Sequence, residues 1–77
     1  MKESDLTLFR TNIIRVRAFR GLTSRELSER AELRQLKRVS DIEEGRGKPT
    51  LEEVMAICRV LEVSIDEMLY RQPKIQF

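Results

Sequence analysis

The chain has 77 residues, which is enough for one small hydrophobic core and too few for a second. Its composition, 40% apolar and 36% charged, is too apolar for a disordered tail and too charged for a membrane span. With one cysteine, Cys58, and no histidine, it lacks the residues for an internal disulfide, an ordinary zinc site or Ser/His and Cys/His catalysis. We therefore expect a single-domain cytoplasmic binding protein over residues 1–77, with no metal, cofactor or enzymatic activity.

Charged residues are unevenly distributed along the chain. Residues 1–40 hold ten Lys or Arg and five acidic residues, a net charge of +5, whereas residues 41–77 hold five and eight, a net charge of −3. A basic half joined to an acidic half favours a polyanion at one face of the domain. Charge alone does not distinguish this interpretation from ordinary solvated helix faces.

The apolar residues recur at spacings of three and four, which predicts an all-helical chain. Gly21 follows the first helix, at a position where glycine typically ends helices. The second helix begins at a capping box, in which Thr23 is the N-cap and Glu26 is the third helical residue. The predicted helices span residues 5–20, 24–31, 35–44, 51–62 and 65–71, and residues 72–77 form an unassigned tail.

The start of the third helix is the least clear, because residues 31–35 contain no Gly, Pro, Ser, Asn or Asp to mark a turn. Leu36, Val39 and Ile42 are spaced by three, which predicts one buried face. Gly45 ends the segment, and the following residues form a loop by composition.

Two further capping boxes predict the last two helices: Thr50 with Glu53 and Ser64 with Glu67. The fourth helix is expected to be amphipathic. Its predicted apolar face consists of Leu51, Val54, Cys58 and Leu61, with Met55 and Ile57 beside it. Cys58 is interpreted as a small core residue rather than a redox sensor.

The second and third helices form a candidate helix-turn-helix. The third must project from the domain to enter a major groove about 12 Å wide. Its side chains could then donate to guanine edges or phosphates, or accept from cytosine. The alternative is that Lys37 and Asp41, four residues apart, simply pair on a solvated face. The predicted outward face carries Arg34, Lys37, Arg38 and Asp41.

Four segments, in their order and spacing, resemble the Cro/C1-type helix-turn-helix regulators, also called the XRE family: residues 16–23, 40–45, 49–51 and 61–69. The resemblance covers about 55 of the 77 residues. It implies a compact, five-helix, lambda-repressor-like DNA-binding domain. It also implies a sequence-specific transcriptional regulator, such as a repressor, associated with the nucleoid and binding an inverted-repeat operator in double-stranded DNA as a homodimer.

The resemblance places DNA contacts at the start of the second helix, on the third helix and in the loop after it. Arg38 is expected to be the strongest determinant, because arginine can grip guanine bidentately. Arg25, Arg46 and Lys48 are expected to contact phosphates. The full predicted set of DNA-contacting residues is Ser24, Arg25, Arg34, Gln35, Lys37, Arg38, Ser40, Asp41, Arg46 and Lys48.

The sequence departs from the family at two places. Ser24 stands where the family usually has a DNA-contacting Gln, and the connection over residues 31–39 is one residue longer and lacks the usual Gly. Both departures favour an alternative function, a protein-interaction module such as an antiactivator or antitoxin, which keeps the fold without specific DNA binding. A regulatory protein partner is part of both interpretations.

The resemblance also implies two structural roles. Arg17 is expected to pair with Glu43 and lock the third helix against the first. The fifth helix and the tail are expected to supply an apolar dimer interface. The alternative is that Met68 and Leu69 merely close the core beneath the fourth helix. The predicted interface residues are Ile65, Met68, Leu69, Tyr70 and Phe77.

Overall fold

A computed structural model describes residues 2–71 of the chain. Over these residues the protein is all-helical, which confirms the predicted fold class. The predicted tail at 72–77, with Phe77, lies outside the described residues. The five helices are α1 (Glu3–Phe19), α2 (Ser24–Arg30), α3 (Arg38–Glu43), α4 (Leu51–Leu61) and α5 (Ile65–Tyr70).

One cluster of buried apolar side chains, with members from all five helices, forms the core. Its largest members, such as Phe9, Ile13 and Met68, are completely buried. Full burial of such a side chain contributes about 1.5–3 kcal/mol, so the short helices depend on this shared core more than on their intrinsic propensity. The other helical members are Val16, Leu27, Val39, Ile42, Val54, Ile57, Cys58, Leu61 and Leu69.

Four of the helices end in the same left-handed turn, a Schellman motif. Glycine occupies the left-handed position after α1 and α3, where Gly21 has φ +69° and Gly45 has φ +81°. Glutamate occupies it after α2 and α4, with φ 55° at Glu32 and φ 58° at Glu62. The connection between α2 and α3 therefore turns sharply without the glycine that its geometry favours.

α3 begins at Arg38 rather than at residue 35, which corrects the predicted start. The left-handed Glu32 ends α2, and residues 33–37 are then needed to redirect the chain. Leu36 lies in this connection and is 38% exposed, so its spacing with Val39 and Ile42 did not mark a buried helix face. α3 is consequently only 6 residues long.

The apolar face of α4 also differs from the prediction. Leu51 is 60% exposed and Met55 is 49% exposed. The side chains that face the core are Val54, Ile57, Cys58 and Leu61, which follow the spacing of three and four that one buried helix face requires. Met55 lies about a third of a turn from the centre of that face, whereas Leu51 is in line with Val54 and Cys58 but is the first residue of α4 and stays exposed.

α5 closes the core instead of presenting an apolar patch. Met68 is fully buried and Leu69 is 4% exposed, so the predicted role of these two residues in a dimer interface is wrong. Ile65 is half-buried against the core, and Tyr70 alone of the described interface residues is largely exposed, at 56%. The first turn of α5 has half of its predicted capping box: the Ser64 hydroxyl accepts from the Glu67 N–H at 3.1 Å.

A buried amide fixes α5 to α1. Asn12 is fully buried, and its Nδ2 donates to the carbonyl oxygens of Met68 at 2.9 Å and Arg71 at 2.7 Å. Met68 lies in the last turn of α5 and Arg71 is its C-cap residue, so neither carbonyl has a further backbone donor within the helix. Asn12 thus replaces a conventional C-terminal cap.

Candidate nucleic-acid interface

A buried hydroxyl on α2 caps the start of α3. Lys37, the N-cap residue of α3, supplies no side-chain hydrogen bond. Ser28 of α2 is fully buried, and its Oγ accepts from the Val39 N–H at 3.0 Å while donating to the Ser24 carbonyl at 3.0 Å. One of the free N–H groups at the start of α3 is therefore satisfied from the neighbouring helix, which fixes the orientation of α3.

The other end of α3 is bound to α1 by an ion pair. Arg17 donates from Nε to Glu43 Oε2 at 2.8 Å and from Nη2 to Glu43 Oε1 at 3.2 Å. The third guanidinium nitrogen donates to the Leu22 carbonyl at 3.0 Å. Arg10 adds a bond from Nε to the Ile42 carbonyl at 3.1 Å. With Ser28 at one end and these contacts at the other, α3 is held rigidly against the domain.

Arg38 does not project outward, and the prediction that it does is wrong. Its Nε lies 2.7 Å from Glu53 Oε2, its Nη2 lies 2.9 Å from Glu53 Oε1, and its side chain is only 12% exposed. The same Nη2 donates to the Lys48 carbonyl at 2.9 Å. Hydrogen bonding to Arg38 lowers the pKa of Glu53, and the same bond raises the pKa of Arg38. Arg38 is therefore committed to holding α3, α4 and the loop between them together.

The partner of Arg38 arises from the capping box of α4. Glu53 accepts from the Thr50 N–H at 2.9 Å and the Thr50 hydroxyl accepts from the Glu53 N–H at 3.1 Å, as the sequence predicts. This geometry directs the Glu53 carboxylate toward the first turn of α3. Gly47 permits the close packing of the loop, since a Cβ there would lie 3.3 Å from Arg38 Nη1 at a φ of +100°.

Asp41 pairs with Arg46 rather than with Lys37. Arg46 donates to Asp41 Oδ1 from Nε at 3.1 Å and from Nη2 at 2.9 Å, and also to Glu44 Oε2 at 2.8 Å. The Ser40 hydroxyl donates to the same oxygen of Glu44 at 2.9 Å. The hydrogen bond from Arg46 lowers the pKa of Glu44. The Arg46 side chain nevertheless stays 60% exposed, so its guanidinium remains accessible to a ligand.

Exposed cationic and amide side chains remain on the connection that leads into α3: Arg34, Gln35 and Lys37. Arg25 is exposed at the start of α2, next to the half-buried Ser24. Lys48 is 74% exposed in the loop after α3, with only a loose contact, 3.8 Å, to Glu3. These groups can donate hydrogen bonds to phosphates or to base edges.

Sequence reasoning missed Ser28 and Glu53, which position this surface, and Asn12, which fixes α5 to α1. A signal was present for Ser28, because it sits between the buried Leu27 and Ala31 in a helix of seven residues. A polar residue among core positions indicates a buried hydrogen bond. For Asn12, the adjacent core residue Ile13 offers the same signal.

Within residues 2–71, no group of three or more His, Cys, Asp or Glu side chains could hold a metal ion. None of the described helices is both long and apolar enough to cross a membrane. Cys58 is buried, and burial raises the pKa of its thiol to about 11. The thiol is thus protonated at neutral pH and chemically inert.

A family comparison agrees with this geometry. The sequence model of a helix-turn-helix family, HTH_3, matches residues 13–68. The matched span runs from the middle of α1 to the last turn of α5, and therefore contains α2, α3 and the connection between them. No curated protein and no solved structure matches the chain.

Proposed function

Because this chain belongs to the Cro/C1-type, or XRE, family of helix-turn-helix DNA-binding regulators, we propose that it regulates transcription by binding an inverted-repeat operator as a homodimer. Double-stranded DNA is the ligand of this family. One observation on this chain supports the proposal most strongly. Arg34, Gln35 and Lys37 are exposed directly before α3, and both ends of α3 are bonded to other helices.

The proposed contacts follow from the placement of these side chains. Helix-turn-helix proteins read base edges from the N-terminal residues of the second helix of the pair. Gln35 and Lys37 carry the donor groups suited to adenine and guanine edges, respectively. Arg25 and Lys48 are proposed to contact phosphates, which orients the domain without reading sequence. Arg38 holds the reading surface in place instead of touching a base.

A homodimer is proposed because one such surface reads only a few base pairs. Specific sites must be distinguished from a genome of competing sequences, and each base pair read contributes only about 1–3 kcal/mol. Two-fold pairing doubles the number of base pairs read and requires half-sites about 34 Å apart. A cytoplasmic, nucleoid-associated location would follow from such binding.

A mobility-shift experiment on the DNA upstream of the protein's own gene tests the proposal. We expect a discrete complex that persists in excess random DNA and weakens steeply with salt, because phosphate contacts release counterions. Arg20→Ala removes an exposed positive charge outside the proposed surface and should leave this shift unchanged. A shift that random DNA competes away as readily as upstream DNA would contradict the proposal.

A second candidate function, a protein-interaction module without specific DNA binding, has support from the ion pairs. Arg38 and Arg46 both pair with carboxylates of the same domain. Asp41 places a negative charge on α3, and Glu44 places another at its C-cap. Absence of any shift, together with copurification of one protein partner, would favour this alternative.

A further inference from the structure

The outer face of α4 combines exposed apolar residues with exposed charges of both signs. Leu51 and Met55 lie one turn apart and are exposed by 60% and 49%, which is high for large apolar side chains. Glu52 and Arg59 flank them and are also exposed. We call these four residues the α4 face; nothing in the core or in the proposed DNA-reading surface uses them.

Met55 forms a ridge between two grooves. One groove, of about 600 Å³, is lined on its far side by Leu33 and Arg34 of the α2–α3 connection. The other, of about 440 Å³, is lined by Val63, just before α5, and by Ile65, the first residue of α5. Both grooves include Met55 and Arg59. When Met55 lies on a two-fold axis, the two methionines meet each other, and the grooves on either side leave room for the neighbouring side chains of the second copy.

The charges on the α4 face are arranged for self-pairing. Glu52 lies three residues before Met55, and Arg59 lies four residues after it. If two copies of α4 cross antiparallel at Met55, Glu52 of each copy faces Arg59 of the other. Within residues 2–71 neither side chain has an ion-pair partner within 4 Å, so both charges are available.

We infer that the α4 face is the surface by which two copies of this chain pair, with Met55 at the two-fold axis and two symmetric Glu52–Arg59 contacts. The inference rests on the proposed function, which requires a homodimer, and it centres the interface on α4 because Met68 and Leu69 of α5 are buried in the core of their own chain. In a two-fold interface, a contact from one residue to a second is repeated with the two copies exchanged. The spacing of Glu52 and Arg59 about Met55 satisfies this rule.

The interface is small, and the association is correspondingly weak. α4 has 11 residues, about 16 Å of helix, whereas a standard stable interface buries about 800 Å² on each partner. Pairing in free solution is therefore concentration-dependent. Operator DNA, by binding both copies, strengthens the pairing through mass action.

Cross-linking at the axis tests this geometry without DNA. Met55→Cys places two thiols on the facing sides of helices whose axes lie ~8–10 Å apart, so the sulfur atoms are closer together than the axes and a short bis-maleimide can join them. Cys58 borders the second groove but is only 3% exposed, and burial raises its pKa to about 11, so the natural protein, with Cys58 alone, should give no cross-linked dimer. Tyr70→Cys, at the similarly exposed position on α5, is the control. We expect cross-linked dimer from Met55→Cys alone; no dimer, or dimer from Tyr70→Cys, overturns the inference.

Charge reversal tests the ionic contacts by sedimentation. Glu52→Arg and Arg59→Glu each create like-charge contacts at two symmetric places and should weaken association at least about tenfold. The double variant restores opposite charges and should recover dimerisation; failure to recover overturns the inference. Cross-linking of Met55→Cys without a shift of operator DNA would support this inference and contradict the proposed function. A shift of operator DNA without cross-linking would support the proposed function and contradict this inference.

Discussion

Arg38 in the first turn of α3 and Glu53 in the first turn of α4 form a two-point ion pair, with N–O distances of 2.7 and 2.9 Å. Both side chains are nearly buried, at 12% and 10% exposure. The Lys48 carbonyl accepts from the same guanidinium, so one side chain joins α3, the following loop and α4. The surface proposed to read DNA is thus oriented by a residue that does not itself face the DNA.

Removing this guanidinium should destabilise the fold. Arg38→Ala leaves the Glu53 carboxylate without its main partner in a nearly dry position, and we expect a loss of about 3 kcal/mol in the free energy of unfolding. Urea denaturation measures this loss. Lys37→Ala, a change at the exposed neighbouring position, should cost less than ~0.5 kcal/mol. Equal losses for the two variants would contradict the structural role of Arg38.

The same pair predicts that the free energy of unfolding falls at acidic pH. The pKa of Glu53 lies below its ordinary value of 4.5 in the folded protein, chiefly because Arg38 hydrogen-bonds to the carboxylate. Its stabilisation is therefore complete above the unfolded-state pKa and is lost as pH falls through the folded-state pKa. Urea midpoints from about pH 6 to about pH 3 should fall more for the natural protein than for Glu53→Gln. Parallel curves would refute this assignment.

The Arg17–Glu43 pair should also contribute to stability. Arg17→Ala removes two bonds to Glu43 and one to the Leu22 carbonyl, and we expect a loss of about 2–3 kcal/mol, reduced somewhat because Arg17 is 20% exposed. Arg20→Ala is the matched control, since Arg20 is exposed at the end of the same helix. Arg15 is a poorer control, because it is half-buried. Thermal unfolding compares the variants, and equal melting temperatures would show that the pair contributes nothing.

Two glutamates with a left-handed backbone conformation are sites where substitution by glycine should stabilise the protein. Glu32 and Glu62 hold φ values of 55° and 58°, which cost an L-residue about 1–2 kcal/mol and glycine almost nothing. Part of the gain is offset by the greater freedom of glycine in the unfolded chain. We expect Glu32→Gly and Glu62→Gly each to stabilise the protein by ~0.5–1 kcal/mol.

Gly45→Ala supplies the opposite control, because Gly45 has φ +81° and an added Cβ would strain the same kind of turn. Urea denaturation measures all three variants, and Gly45→Ala should be less stable than the natural protein. A destabilised Glu32→Gly variant would mean that the connection between α2 and α3 does not adopt the left-handed turn.

The sequence predicts well those features that depend on neighbouring residues. The capping boxes at Thr23 and Thr50 correctly placed the starts of α2 and α4, and Gly21 and Gly45 mark real helix ends. Each of these signals is contained within four residues of chain. Short-range hydrogen bonds and glycine stereochemistry decide them with little influence from the rest of the fold.

The features that failed depend on distant partners. Nothing local indicates that Glu32 adopts a left-handed conformation, so the spacing of Leu36 with Val39 suggested a helix that starts too early. The exposure of Arg38 depends on Glu53, which is fifteen positions away and on another helix. Contacts of this kind set where a short helix starts when both of its ends are bonded to other helices, and for α3 Ser28 is another such contact.

The most direct test of the central claim is the specificity ratio, the affinity for the operator divided by the affinity for scrambled DNA at the same salt concentration. We predict that the double variant Gln35→Ala, Lys37→Ala lowers this ratio at least about tenfold, because each good base contact contributes about 1–3 kcal/mol of discrimination. Its melting temperature should be unchanged, since both side chains are exposed. An unchanged ratio in a folded double variant would contradict the claim that the connection leading into α3 reads the DNA sequence.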